Sequence, residues 1–349
     1  SKQEVKMNLF AGFDLHANNA VAVMINENKD VVLKRKFTND LCLISTALEK
    51  YRQDIVGVVV ESTYNWYWLV DGLMENDYKV HLAHTGEADR KRNKKYIDDY
   101  RDAFTLADSL RKGELHQGYI YPKEDRPLRD LLRKRGLLVK NRTQHLTSLS
   151  NFFNRHLGIQ KKANSIKKLK VADLKKIFPD KYLELSAQSN LSIIKALNHQ
   201  ITILEKEILR KGKLKKEFQV LVTIPGIGEI IALAISLEIG DINRFPTHGD
   251  YVSYCRCAPS HWNSNNKKKG EGNRKNGNRY LSWAYTEAAN FTIRHCPYAK
   301  AFYEKKLKKV RKHIIAIRSV AAKLSRGSCH ILKNDLKYDP EKLFGKIGA

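Results

Sequence analysis

An α/β domain followed by a mainly helical remainder is the fold predicted for this 349-residue chain, on three observations. Short apolar runs alternate with helically spaced segments over the first third. From Pro127 the leucines recur at threes and fours for roughly 30 residues, the spacing of one long amphipathic helix. The charge also divides along the chain: residues 1–122 hold 17 basic and 18 acidic side chains, whereas 123–349 hold 47 and 19. The whole of the net charge of +27 therefore belongs to the later part, which carries +28 against −1 before it. A field of that sign attracts a polyanion, of which nucleic acid is the commonest.

Composition narrows the class further. Hydrophobic residues make up 42% and charged residues 29%, ordinary for a globular protein with a sizeable core. The longest apolar runs, Ile55–Val60 and Ile230–Leu237, fall far short of the ~20 residues that span a bilayer, so no membrane partner is expected. Five cysteines form no CxxC pair, and no signal peptide is evident, which fits a reducing, cytoplasmic setting. Cys255 and Cys257 lack a second ligand pair at finger-like spacing and read as core thiols.

The elements follow in order. Leu9–Leu15 is an apolar run carrying Asp14 near its end; Ala20–Ile25 and Val31–Phe37 are the next strands, and Leu41–Tyr51 has helical spacing. Ile55–Val60 is long and apolar enough for a buried central strand and is followed by Glu61. Tyr64–Glu75 reads as a helix, Tyr78–Ala83 as a strand and Asp98–Arg111 as a helix. Three strands, helix, strand, helix, strand, helix is the order of an RNase H-like α/β fold, here assigned to residues 7–122. Residues 123–216 hold the long helix, closed by Gly158, a Lys-rich stretch Lys161–Lys170, and a second periodic run from Ile193 to Ile208. Two such helices form either a coiled coil with dimer contacts or a hairpin within one chain. Residues 217–349 read as helical with one irregular loop, ending in helices Tyr280–Thr292 and Tyr298–Leu332.

Four acids form the strongest chemical constellation. Asp14 and Glu61 end strands that are neighbours in an RNase H-like sheet, and Asp99 and Asp102 share one helix face at i, i+3. Converging carboxylates repel one another unless a cation lies between them. Oxygen ligands favour Mg²⁺, with Mn²⁺ as the alternative, and such ions stabilise attacking and leaving oxygens in phosphoryl transfer. Asp98 competes with Asp99 for this role, and His16 reads as structural rather than as a ligand. Pro225-Gly226-Ile227-Gly228 has the form of a helix-hairpin-helix turn, whose amides can hold a phosphate; an ordinary helix connection has the same look. Asn263–Arg279 carries Lys267, Lys268, Lys269, Arg274, Lys275 and Arg279 among glycines and asparagines. Ser264 in this segment, or Ser260 beside it, could attack phosphorus, although a serine among lysines is ordinarily a phosphate contact. Trp66 and Trp68 could stack on bases but sit where a helix would pack on the sheet.

Five segments together resemble a known family. Gly12-Phe13-Asp14-Leu15-His16, Val60-Glu61-Ser62-Thr63, Asp99-Tyr100-Arg101-Asp102-Ala103, Ile224-Pro225-Gly226-Ile227-Gly228 and the block from Ala258-Pro259 through Ser264 to Gly277-Asn278-Arg279-Tyr280-Leu281 resemble, in order and spacing, the DEDD insertion-sequence transposases. That family includes the pilin-gene invertase and the bridge-RNA-guided recombinases. The resemblance implies a RuvC-like domain, a coiled-coil middle and a C-terminal transposase domain. It implies Mg²⁺ held by Asp14, Glu61, Asp99 and Asp102, and Ser264, five residues after Pro259, as the nucleophile joined covalently to cut DNA. It further implies donor and target DNA, a structured non-coding guide RNA, and a dimer that pairs into a tetramer in the bacterial nucleoid. Here Asn265 and Asn266 stand where the family has a small residue and glycine. Two other functions fit the residues alone: a RuvC-like junction nuclease that uses water, and a non-enzymatic nucleic-acid-binding protein.

Overall fold

The computed structural model describes residues 7–84, 98–259, 262–264, 267–270 and 276–347. The chain divides into two compact units, Ser1–Lys123 and Glu124–Ala349.

The first unit is a mixed sheet with helices on both faces. Its elements are β1 (Leu9–Leu15), β2 (Asn19–Ile25), β3 (Val31–Thr38), α1 (Leu41–Glu49), β4 (Ile55–Glu61), α2 (Tyr67–Glu75), β5 (Val80–Ala83), α3 (Asp99–Arg111) and a short edge strand β6 (Gln117–Gly118). The sheet order is β3-β2-β1-β4-β5-β6. β1, β2 and β3 are antiparallel neighbours, β4 lies parallel to β1 and to β5, and β6 closes the far edge antiparallel to β5. The apolar runs of β1 and β4 occupy the centre because both their faces are covered. β3 takes an edge and exposes Lys34, Arg35 and Lys36, charges that discourage a further strand from pairing.

The two-residue period of β1 sorts its side chains between the faces. Leu9, Phe13 and Leu15 join Ile44 and Leu48 of α1 and Leu69 and Leu73 of α2 in one core. On the opposite face Val21 and Val23 of β2 pack with Ala103 and Ala107 of α3. Gly12 is what lets α3 approach: a Cβ there would stand 2.1 Å from the Ala103 carbonyl oxygen and 2.8 Å from the Ala107 nitrogen. Asp14, two residues on, lies on this same α3 face.

Among its described residues the second unit is helical apart from one hairpin. α4 (Arg126–Leu157) starts with Pro127 in its first turn and stops at Gly158, whose φ of 66° is the left-handed cap that glycine adopts without strain. Two short helices, α5 (Ala163–Lys168) and α6 (Val171–Ile177), lead to α7 (Lys181–Gly212), capped by the Asp180 side chain. α4 and α7 run antiparallel within the chain: Arg135 pairs with Glu205, Arg142 with Asn198 and His145 with Asn190. Leu149, Phe153, Ile166, Leu174, Phe178 and Leu191 form the core at the end where α5 and α6 fold over them.

Beyond α7 come α8 (Lys216–Leu221), α9 (Glu229–Ile239), a 3-10 turn, α10 (His248–Tyr254), the hairpin β7 (Trp262–Ser264) and β8 (Lys267–Gly270), α11 (Arg279–His295), α12 (Pro297–Val310), α13 (His313–Asn334) and α14 (Pro340–Phe344). α9 is buried continuously from Ile231 to Ile239 and forms the centre of this core.

Two sequence expectations change here. The segment Asn263–Arg279 is not wholly irregular, because β7 and β8 pair within it. The expected helix Tyr298–Leu332 is two helices, parted at Arg311, which takes a left-handed φ of 52°. Lys305, Lys306, Lys308, Lys309, Arg311 and Lys312 crowd like charge onto that stretch. The turn lets α12 and α13 fold back on the core, and the Tyr303 hydroxyl meets His313 Nδ1 across it at 2.6 Å. Among the described residues no helix is long and apolar enough to cross a membrane.

Candidate active site

The carboxyl end of β1 and the start of α3 bring three side chains together. Asp14 is 5% exposed, and His16 follows it just beyond the strand. His16 Nε2 lies 3.3 Å from Asp14 Oδ2 and 3.4 Å from Asp99 Oδ2. One donor atom from each of the three lies within 4.8 Å of the others, the single such group among the described residues. His16 Nε2 is buried and makes no hydrogen bond, so its contacts with the two carboxylates are those of an ion pair if the ring is protonated or of neighbouring donor atoms if it is not. Ligand atoms around a divalent cation are disposed in this way, since donors at ~2.1 Å from an ion stand up to ~4.2 Å apart. The two carboxylates suit Mg²⁺ and Mn²⁺ alike, and the imidazole adds a nitrogen donor of the kind that transition ions accept.

Glu61 and Asp102 lie outside that trio but on the same framework. β1 and β4 are in parallel register at Phe13 and Val60, so the next residues along, Asp14 and Glu61, are neighbours at the strand ends. Asp102 is half-buried one turn into α3 from Asp99. Asp98 has a different role from Asp99. Its side chain accepts the Tyr100 N–H and caps α3, which satisfies one of the free amides at that helix end.

Sequence reasoning read His16 as structural rather than as a ligand, and the structure sets its Nε2 beside Asp14 and Asp99, in a group that could hold an ion. The available signal was its spacing: residues two apart along an extended segment project to one side, and Asp14-Leu15-His16 has that spacing at a strand end.

The serine segment belongs to the second unit. Ser264 ends β7 and pairs in register with Lys267, which is exposed; Lys268 pairs with Asn263, and Lys269 also lies in β8. Ser260, Arg274 and Lys275 lie outside the described residues. Arg279, exposed at the start of α11, donates to the Tyr280 hydroxyl at 2.9 Å.

In the Pro225–Gly228 turn the two glycines differ. Gly226 has a φ of +92°, and a Cβ there would meet the Thr292 nitrogen at 2.3 Å, so it seats the turn against α11. Gly228 is exposed, has open space where a side chain would stand, and precedes the first turn of α9.

The remaining candidates are structural. Cys255 and Cys257 are buried free thiols, and burial pushes Cys257 up to about 11, far from a metal-ligand thiolate. Trp66 is 8% exposed and packs its ring edge-on to Tyr67 in the core of the first unit.

Comparison with known proteins finds two family models that match the chain. A family model described as DEDD transposase of the IS110 type matches residues 11–157. A second, described as "Transposase IS116/IS110/IS902 family", matches residues 218–304. Both matched stretches are thus similar to DEDD insertion-sequence transposases, and to those of the IS110 family among them. A protein of Streptomyces coelicolor, "Insertion element IS110 uncharacterized 43.6 kDa protein", is 27% identical over 139 residues, 40% of this chain and 34% of that one. "Transposase for insertion sequence element IS1111A" of Coxiella burnetii is 25% identical over 206 residues, 57% of this chain and 55% of that one. The chain therefore spans about a third and about a half of these two relatives' lengths.

Proposed function

We propose that the chain is a DNA recombinase of an insertion sequence, guided by a structured non-coding RNA, that cuts and rejoins donor and target strands through a phosphoserine intermediate. The observation that carries this reading is the Asp14–His16–Asp99 cluster at the sheet end, in a stretch similar to the DEDD transposases. The strand order β3-β2-β1-β4-β5, with only the first three antiparallel, supports an RNase H/RuvC-like catalytic domain over residues 7–122. Residues 123–216 serve as the dimerisation region and 217–349 as the serine-bearing transposase domain.

Asp14, Asp99 and His16 would hold a divalent ion, Mg²⁺ or Mn²⁺, and Glu61 and Asp102 would supply further oxygen donors. When bound, that ion neutralises charge on the scissile phosphate and on the departing sugar oxygen. The Ser264 hydroxyl attacks phosphorus, so that the Oγ–P bond forms as the P–O bond to the leaving sugar breaks. The hydroxyl proton passes to the sugar oxygen, and the strand is held as a phosphoserine ester. Attack by the sugar hydroxyl of another strand reverses these steps and frees the serine. Lys267, Lys268, Lys269, Arg274, Lys275 and Arg279 neutralise backbone phosphates near Ser264, and the Gly226–Gly228 turn offers amides to another.

Two features support the partners. The excess of basic side chains after residue 122 suits RNA and DNA together. Exposed Tyr182, Leu185, Ile193 and Ile203 lie on one side of α7, within an arc of about 80° at ~100° per residue. That apolar stripe, turned away from α4, suits a second copy in a dimer that pairs into a tetramer.

The test is reconstitution. RNA that co-purifies with the chain is sequenced, and the protein is then assayed with Mg²⁺ on plasmids carrying donor and target sites. RNA-dependent recombinant joints support the reading. Joints formed equally well by RNA-free protein would remove the guide.

A further inference from the structure

The second unit contains a buried charged network that none of these chemical roles uses. Glu238, 1% exposed near the end of the apolar helix α9, receives Arg129 Nε at 3.1 Å and both arms of Arg133, at 2.6 and 2.8 Å, from α4. A second Arg129 nitrogen lies 3.1 Å from the same carboxylate, and Asn278 Nδ2 donates to it at 2.7 Å. Asn278 is itself buried, and its Oδ1 accepts the Tyr280 and Leu281 amides at 2.8 and 3.1 Å, capping α11. Both ends of the amide are thus engaged, with oxygen toward the helix and nitrogen toward the carboxylate.

This network sits where the serine segment re-enters the helical fold. Asn278 N–H donates to the Tyr254 carbonyl at 2.6 Å, and Arg256 Nε donates to the Gly277 carbonyl at 2.9 Å. The last residues before the segment are thereby tied to the first residues after it. Gly277 has a φ of +94°, and a Cβ there would lie 2.4 Å from the Tyr254 oxygen, so the join tolerates no bulkier residue. Arg133 also stacks over the Tyr280 ring, 4.3 Å from its centre.

A buried ion network is a poor stabiliser compared with apolar packing of equal volume, because each charge must be stripped of water. Its distinctive property is direction: a carboxylate held by three donor residues sets where its partners stand. We propose that Glu238, acting through Asn278, is a positioning residue that holds together the two ends of the segment carrying Ser264, Tyr254 and Arg256 before it and Gly277 and Asn278 after it. The proposal rests on the reading of Ser264 as nucleophile, and Arg129 and Arg133 hold Glu238 for this purpose.

The test uses the full chain with Asn278→Ser, since serine caps a helix nearly as well as asparagine but cannot reach Glu238. Three quantities are compared with the unaltered protein: affinity for a labelled plasmid fragment carrying the element's end, the single-turnover rate of covalent adduct formation with Mg²⁺, and hydrogen exchange over residues 262–270. The proposal expects affinity within about twofold, an adduct rate at least tenfold lower, and exchange in the hairpin at least tenfold faster with α4 and α9 unchanged. Arg133→Lys, which keeps the cation but loses the two-armed hold, should shift the same readouts less and serves if Asn278→Ser does not fold. Unchanged exchange and adduct rate in either folded variant would overturn the proposal. Faster hairpin exchange in a protein whose Ser264→Ala form still makes the adduct would retain Glu238 as an anchor and reject the serine reading instead.

Discussion

Asp98 and Asp99 are adjacent in sequence, yet the helix start separates their work. Asp98 spends its carboxylate on a helix amide, while Asp99 turns toward Asp14 and His16. Asparagine caps as well as aspartate, so Asp98→Asn should leave strand cleavage within about twofold. Asp99→Asn and Asp14→Asn should lower Mg²⁺-dependent cleavage by at least about a thousandfold, the loss of several kcal/mol of charge stabilisation. Nucleic-acid affinity, measured by filter binding, should stay nearly unchanged in all three. Equal loss in Asp98→Asn and Asp99→Asn would mean that the helix start, not a ligand, had been damaged. At this scale the acids were legible because strand ends and an i, i+3 pair have recognisable spacing. His16 was not, because a histidine beside an acid has the same sequence appearance whether it packs or ligates. Glu238 was equally hidden: one acid closing an apolar run gives no sign that Arg129 and Arg133, far away in the chain, will surround it.

The seating of α3 on the sheet decides whether Asp99 reaches Asp14. Gly12→Ala would put a methyl group into the α3 backbone at Ala103. It should cost about 1–3 kcal/mol as overpacking does, lowering the melting temperature and weakening Mg²⁺ in cleavage titrations. An unaltered metal dependence would separate the site from the docking of α3. In the helical unit, burial pushes the Glu238 carboxyl up, but Arg133, Arg129 and Asn278 outweigh it and hold it below its ordinary 4.5. A lowered folded value means that the unfolded chain binds the proton more readily. The contribution is therefore present above the ordinary value and is lost as pH falls through the folded one. Calorimetry should show the melting temperature falling with acid below about pH 4.5, with a shallower fall in Glu238→Gln. The strands of the first unit were legible from their apolar runs. The hairpin Trp262–Gly270 was not, because its Lys- and Asn-rich second half shows no two-residue apolar alternation. The break at Arg311 carried no glycine or proline to announce it.

At the scale of the molecule, the charge division is the most directly legible property, since it needs no fold. With 47 basic and 19 acidic side chains after residue 122, binding to RNA or DNA should weaken steeply with salt. A log–log slope of about −6 or steeper corresponds to some seven neutralised phosphates, and a slope near −1 would deny a broad basic interface. The partition of labour between metal-binding acids and a serine is the central claim. It is tested most directly by trapping the reaction of full-length protein, Mg²⁺, co-purified RNA and plasmid, digesting both protein and DNA, and locating any nucleotide-bearing peptide by mass spectrometry. The account predicts a nucleotide joined through phosphate to Ser264, absent from Asp14→Asn protein. Mg²⁺-dependent cutting that leaves no nucleotide on any serine would contradict it and make the chain a nuclease that uses water.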